Sequence, residues 1–377
     1  MNLFETLEPA AGAVIAVLAL LIWLYLFFAH GCFWRSGPQL PPASPPECPD
    51  VDIVVPARDE APTIAAAIAS LLAQKYVGRF RVILVDDDST DGTAAAAGCA
   101  ANLSVLTLRS KPEGWSGKLW ALSQGVAAGQ APLLLFTDAD IVHDPRHLST
   151  LVAKLLQSRS VMVSEMVRLN CRSLAERMLI PAFVYFFQML YPFNRVNDPQ
   201  SPAAAAAGGT VLIRRDVLRR SGGIDAIRNA LIDDVALASS VKKYGPIFLG
   251  HSGLAVSIRP YAGFGDIWQM ISRTAFTQLR HSPLLLALTL LGLIAVWWLP
   301  AASMVLGRGW QSTVGAAAFA LSALSYLPSL ARYGRNPLWA LALPLIALFY
   351  MAATVDSALN YWRGRGARWK SRAYGGG

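Results

Sequence analysis

The chain carries two kinds of hydrophobic pattern. Its ends hold long apolar runs, whereas its centre holds short apolar stretches separated by polar turns. The run 11–29 (AGAVIAVLALLIWLYLFFA) has no charged residue, and a helix crossing a bilayer needs about 20 such residues. Three more apolar runs close the chain at 284–306, 313–331 and 338–359. Pro300, Pro328 and Pro344 interrupt or end them, which transmembrane helices tolerate. Between the ends, the pattern predicts strands at 51–56, 81–85, 104–108 and 132–137 and helices at 61–74, 90–101 and 117–128. This alternation predicts an α/β domain with a mostly parallel sheet covered by helices. Ligands of such sheets sit beyond the C-terminal ends of the strands.

Composition strengthens the membrane reading. The 377 residues are 54% hydrophobic and 15% charged, against about 25% charged in soluble domains. The first run is preceded by Glu5 and Glu8 rather than by basic residues, and it is long for the core of a signal peptide, so it reads as a retained anchor. The Pro-rich stretch 38–49 (PQLPPASPPECP) reads as a stiff linker. The predicted organisation is an anchor at 1–30, a linker at 31–49, a catalytic domain at 50–280, a C-terminal transmembrane region at 281–360 and a basic tail at 361–377.

The net charge of +9 lies wholly in the C-terminal third. From Arg259 onward there are 11 Lys and Arg against 2 acidic residues. That distribution suits anionic lipid headgroups, and no basic and aromatic module suited to nucleic acid is present. Arg35 behind the first run places the central domain in the cytoplasm and the N-terminus outside. Three further spans would then put the tail (Arg363, Arg365, Arg368, Lys370, Arg372) outside, against the same rule. One hydrophobic run is therefore expected to form a hairpin or to lie in the interface. Cys32, Cys48, Cys99 and Cys171 are widely spaced and form no CxxC pair, which supports neither a zinc site nor a redox motif.

Three acidic motifs carry candidate chemistry. VDDDSTDGT (85–93) follows a predicted strand and offers carboxylates to a base or ribose, or simply a capped turn. TDAD (137–140) follows the apolar strand LLLF; its two carboxylates could share a hard divalent cation such as magnesium or manganese. LIDDVAL (231–237) sets two carboxylates in an apolar stretch, where burial raises a carboxyl pKa as a general base requires. It also reads as a helix N-terminus that favours acidic residues. The segments 178–193 and 261–281 mix aromatic and apolar residues with flanking or interspersed arginines and read as interfacial. For 178–193 a buried core helix fits its length equally well.

The ordered series PARDE (56–60), VDDDSTDGT (85–93), GKLWALSQG (117–125), DAD (138–140), GGTVLIRRDVL (208–218) and IDD (232–234) resembles family 2 glycosyltransferases of the GT-A fold, over roughly residues 50–280. The hydrophobic layout resembles the bacterial hopanoid-associated glycosyltransferases of that family. The resemblance implies a Rossmann-like GT-A domain, a nucleotide-sugar donor (a UDP-sugar), a Mg2+ or Mn2+ cofactor and a lipid acceptor. It implies that Pro56, Arg58 and Glu60 contact the nucleotide, that Asp86 and Asp87 recognise its uridine part, and that Lys118 lies near the diphosphate. Asp138 and Asp140 match the metal-binding pair, Asp138 also facing the donor. Gly208, Gly209 and Thr210 match the acceptor-side loop, and Asp234, beside Asp233, matches the catalytic base. Ser123 stands where the family usually has Asn. Arg273 matches the arginine of the Q/R-x-x-R-W segment, from which Trp is absent and Gln is displaced to 269; this argues against a processive polymerase.

The implied reaction is a single inverting displacement on a membrane lipid at a bacterial-type cytoplasmic membrane. A polyprenyl-phosphate acceptor, a non-catalytic scaffold and a transporter are the competing readings. The intact acidic motifs weigh against a scaffold, and the scarcity of charges in the last three runs weighs against a transporter. No G-x-G-x-x-G opens a helix. GWSGKL (114–119) lacks the glycine spacing of a P-loop and has Leu119 where a metal-binding hydroxyl would stand.

Overall fold

The computed structural model describes residues 3–364, 368–369 and 372–373. Arg365 and Lys370 of the basic tail lie outside the described residues. In chain order the helices and strands are α1 (Leu3–Leu24), β1 (Val51–Ala57), α2 (Ala61–Leu72), β2 (Phe80–Asp86), α3 (Thr93–Ala96), β3 (Leu103–Thr107), α4 (Gly117–Ala128), β4 (Leu133–Thr137), β5 (Ile141–His143), α5 (His147–Gln157), β6 (Met162–Arg168), α6 (Leu174–Leu190), α7 (Phe193–Asn197), β7 (Thr210–Arg214), α8 (Arg215–Arg220), α9 (Asp233–Val241) and β8 (Ile247–Ser257). They continue as α10 (Phe264–Ser272), α11 (Ala275–Gln278), α12 (Pro283–Leu293), α13 (Leu299–Leu306), α14 (Trp310–Arg332) and α15 (Leu343–Trp362).

Residues divide into two compact units. Of the described residues, one comprises Gly37–Asn170 and Arg195–Pro260, the other residues 3–36, Cys171–Asn194 and 261–364.

The first unit is built on an eight-stranded sheet in the order β3-β2-β1-β4-β7-β6-β8-β5. β1 pairs in parallel with β2 and β4, β2 with β3, and β6 with β8, whereas β7 runs antiparallel to both β4 and β6, and β5 antiparallel to β8. Only β7 and β5 therefore oppose the common direction, so the sheet is mostly parallel. The central strands β1 and β4 (VDIVVPA and LLLFT) are buried along their whole length, as continuous apolar runs covered on both faces should be. The core packs Ile53, Val55, Leu84, Leu135 and Val163 of the sheet against Ile64 and Ile68 of α2 and Leu151 and Leu155 of α5. α4 approaches the other face closely at Gly125, where a Cβ would lie 2.3 Å from Val54 Cγ1 and 3.1 Å from Val85 Cγ2. Only glycine fits that crossing.

The helix predicted at 90–101 shrinks to the four residues Thr93–Ala96. Gly92 at φ +85° and Gly98 at φ +73° bracket it, and a left-handed residue at each end cannot continue a right-handed helix.

The second unit is helical. Ala10–Ala29, Pro283–Leu306, Trp310–Arg332 and Pro337–Trp362 are long and apolar enough to cross a membrane. Their outward side chains are large and apolar: Leu21, Phe28, Leu284, Leu291, Val305 and Leu345 are each more than half exposed. Surface of that kind needs a lipid or protein cover. Polar atoms turn inward instead. Trp23 Nε1 donates to Val296 O at 2.7 Å, a carbonyl in the π-helical turn Ile294–Trp298. Tyr350 OH donates to Leu179 O at 2.9 Å, and Trp268 Nε1 donates to Asp356 Oδ2 at 2.8 Å. The stretch 178–193 is mostly α6, opened by a capping box in which Ser173 Oγ accepts from Glu176 N and Glu176 Oε2 accepts from Ser173 N. α6 is buried at Leu179, Ile180, Val184 and Tyr185 within this unit.

Candidate active site

The ends of β1, β2 and β4 release the chain side by side, and each release point carries acidic or basic residues. Beyond β4 stand Asp138 and Asp140, beyond β1 stand Arg58, Asp59 and Glu60, and β2 ends at Asp86 with Asp87 next. α9 begins with Asp233 and Asp234, and Lys118 sits in the first turn of α4, whose Ser116 cap accepts from Leu119 N at 3.2 Å. Both helix starts are therefore determined locally, by an Asp pair that favours the positive helix end and by a serine cap.

These elements converge on one pocket lined by Pro56, Lys118, Asp138, Gly208, Asp233 and Asp234, with an apolar wall that includes Leu122, Ile224, Ile227 and Leu237. Lys118 Nζ lies 3.0 Å from Asp138 Oδ1 and 3.2 Å from Asp233 Oδ2. Burial alone would lower the lysine's pKa; Asp138 and Asp233 outweigh it and hold the ammonium well above its ordinary range. Burial raises the Asp138 carboxyl, opposed by Lys118 and reinforced by Asp140. Asp234 Oδ2 accepts from Gly208 N at 2.8 Å and Oδ1 from Val235 N at 2.8 Å. Burial, with the neighbouring charge of Asp233, nevertheless pushes Asp234 up to about 7, against the opposing pull of Lys118 and the two amides. Gly208 stands between the groups: a Cβ there would lie 3.4 Å from both Asp234 Oδ2 and Lys118 Nζ.

The other expected residues occupy the flanking loops. Arg58 Nη1 donates to Asp87 O and lies 3.7 Å from Asp87 Oδ2, both side chains being buried. Asp86 Oδ1 accepts from Ser89 Oγ. Glu60 Oε1 pairs with Arg259 Nη2 at 2.5 Å, and Asp140 Oδ2 accepts from Arg259 Nε at 3.2 Å and Ser257 Oγ at 2.7 Å. Thr210 is buried as the first residue of β7, and a Cβ at Gly209 would press on Val167 at 3.0 Å. Arg273 belongs to the helical unit, at the C-terminal end of α10. Arg259 had no part in the sequence reading of the site. Its signal is a lone arginine two residues after β8, at the same sheet end as the acidic loops.

Pocket, strand-end carboxylates and mostly parallel sheet define a GT-A fold. A mannosyltransferase from Pyrobaculum calidifontis, solved with GDP-Man and Mn2+, shares it at a TM-score of 0.57 with 21% identity, over 94% of this chain and 99% of that one. Residues 52–222 match the model of Glycosyl transferase family 2, and this segment is a domain of that family. An N-acetylglucosaminyltransferase from Mesorhizobium japonicum is 31% identical over 100 residues, 25% of this chain and 22% of its own length. The 4,4'-diaponeurosporenoate glycosyltransferase of Staphylococcus haemolyticus is 31% identical over 98 residues, 26% of each chain. The chain thus spans about a quarter of the length of the curated relatives it matches.

Proposed function

We propose that the protein is a membrane-bound, inverting glycosyltransferase that moves a sugar from a nucleoside diphosphate sugar to a hydroxyl of a lipid acceptor. The observation that carries this reading is the cluster of Lys118 with Asp138 and Asp233 at a pocket whose far side holds Asp234 on Gly208 N. In the reaction, the acceptor oxygen forms a bond to the anomeric carbon as the bond from that carbon to the diphosphate oxygen breaks. The nucleoside diphosphate leaves, and the acceptor proton passes to the Asp234 carboxylate. A carboxyl held near pH 7 suits that task. One displacement inverts the anomeric centre, and no covalent intermediate is needed. Lys118 faces the departing diphosphate. Arg58, Glu60, Asp86 and Asp87 hold the nucleotide end, with Gly208, Gly209 and Thr210 on the acceptor side.

Carboxylate oxygens are hard donors, and Asp138 and Asp140 are the residues that would hold Mg2+ or Mn2+, which when bound would offset charge on the diphosphate. Among the described residues no group of three such ligands is gathered: Asp138 pairs with Lys118 and Asp140 with Arg259, so the ion would have to displace these cations and draw its remaining ligands from the donor phosphates. A lipid acceptor is supported by the four apolar helices and by the pocket's apolar wall. A polyhydroxylated hopanoid is one acceptor with suitable hydroxyls, suggested by the hydrophobic layout. The arrangement suits a bacterial-type cytoplasmic membrane with the catalytic unit facing the cytoplasm, Arg35 being retained on that side.

Calorimetry with manganese and the UDP- and GDP-sugars tests the donor site. Binding of one of them to the wild type, weakened tenfold or more in Asp138→Ala and retained in Asp234→Asn, is expected. Equal binding by Asp138→Ala would remove the donor site from this pocket.

A further inference from the structure

A chain of buried polar groups lies behind the pocket, and none of the reaction chemistry above uses it. Glu165 in β6, His147 at the start of α5, His143 at the end of β5 and Thr137 at the end of β4 are all almost fully buried. Glu165 Oε2 lies 2.8 Å from His147 Nε2, His147 Nδ1 lies 2.8 Å from His143 Nδ1, and His143 Nε2 lies 3.0 Å from Thr137 Oγ1. Thr137 Oγ1 lies 2.9 Å from Gly209 O.

The hydrogens of this chain can be assigned from its far end. A carbonyl oxygen only accepts, so Thr137 must spend its single hydroxyl hydrogen on Gly209 O. Thr137 then accepts from His143, whose Nε2 must carry a hydrogen. Burial and the neighbouring His147 hold His143 well below the usual histidine range, so its ring is neutral and its Nδ1 is an acceptor. His147 Nδ1 must therefore donate. One further proton is shared between His147 Nε2 and Glu165 Oε2, whichever of the two carries it. The three hydrogens from His147 Nδ1 onward all point the same way, towards Gly209 O. That carbonyl also accepts from Thr210 Oγ1 at 2.8 Å, and it follows Gly208, whose N–H holds Asp234. At the other branch, Thr137 immediately precedes Asp138.

We propose that Glu165, His147, His143 and Thr137 form a buried positioning chain that fixes the 208–210 turn against the end of β4, and so sets the base Asp234 relative to Asp138 and Lys118. The proposal rests on the reading of Asp234 as the base. The three residues Glu165, His147 and His143 do not line the pocket, so they are positioning and not catalytic residues.

The test uses the full chain in detergent with three variants. His143→Leu and Glu165→Leu interrupt the chain. Glu165→Gln keeps it, because the Gln amide can donate to His147 Nε2 while His147 stays neutral. Amide hydrogen exchange over 208–210 is read by mass spectrometry, together with kcat and donor KM. Faster exchange at 208–210 is expected in both Leu variants, with kcat reduced between about 10- and 100-fold. Donor KM should stay within about twofold, because the nucleotide loops lie outside the chain. Glu165→Gln should restore both readouts to near wild type. Unchanged exchange in the Leu variants overturns the proposal, even if activity falls. Loss of kcat in Glu165→Gln equal to that in Glu165→Leu also overturns it, because the shared proton rather than the geometry would then matter. If the wild type transfers no sugar, the functional reading fails by itself, and the exchange result still decides whether the chain positions the turn.

Discussion

Replacing Asp234 with asparagine should abolish transfer and yet stabilise the protein at alkaline pH. The carboxyl is held at about 7, against an ordinary value of 3.8. Between those two values the folded chain holds a proton that the unfolded chain has lost. Its contribution to stability therefore falls as pH rises through this window and stays low above it. Three pH units at about 1.36 kcal/mol each would be about 4 kcal/mol. Part of the side chain opens to the pocket and is solvated there, so about 1–2 kcal/mol is the expected gain from removing the charge. The asparagine side chain would keep the shape, and its amide oxygen can still accept from Gly208 N. For a unit of this size, the gain corresponds to a rise in melting temperature of about 2–8 °C. Melting curves of wild type and Asp234→Asn in detergent, from pH 4 to pH 9, check this. The gap should be near zero at pH 4, open between pH 4 and 7 and be constant above. A gap independent of pH, or a less stable Asp234→Asn at pH 8, would refute the assignment of a carboxyl held at about 7 by burial and Asp233.

Further outcomes follow from single contacts. Lys118→Met loses charge-assisted bonds to Asp138 and Asp233 worth about 1.5–3 kcal/mol. Donor KM should therefore rise by more than tenfold in steady-state assays, with the fold intact. Arg259→Ala leaves Glu60 and Asp140 without their shared guanidinium; donor affinity measured by calorimetry should drop, and Arg259→Lys should recover little of it, because a single ammonium cannot reproduce the forked contact. Gly125→Ala drives a methyl group into Val54, and denaturant unfolding should show a loss of about 1–3 kcal/mol, with donor KM unchanged in the folded fraction. The pH–rate profile of kcat/KM should rise through about pH 7 on its acid side as Asp234 loses its proton.

The periodic parts of the fold were legible in the sequence. The helix expected at 117–128 coincides with Gly117–Ala128, and the strand expected at 81–85 lies within Phe80–Asp86. The four expected apolar runs fall on the four long apolar helices. The other half of the sheet was not legible, for local reasons. β5 is three residues long, too short for a period. β6 carries Glu165 among its apolar residues, which breaks the signal of a buried strand, and that glutamate is tolerated only because His147 meets it. Of the acidic motifs, DAD and IDD supply Asp138 and Asp233 to Lys118, whereas Asp86, Asp87 and Asp140 sit in the flanking loops. Arg259 and the histidine chain depend on pairings between strands far apart in sequence, which no local pattern encodes. A His-x3-His spacing beginning three residues after DAD was the trace that the histidine chain left in the sequence.

Sugar transfer itself is the most direct test. Purified full-length protein, manganese, the nucleotide sugar that binds and a bacterial membrane lipid extract are combined, and new glycolipid is followed by mass spectrometry, with Asp234→Asn in parallel. Metal-dependent glycolipid of inverted anomeric configuration, formed by the wild type and lost in Asp234→Asn, is the expected result. Equal product from Asp234→Asn, or a product with retained configuration, would contradict a single displacement with Asp234 as its base.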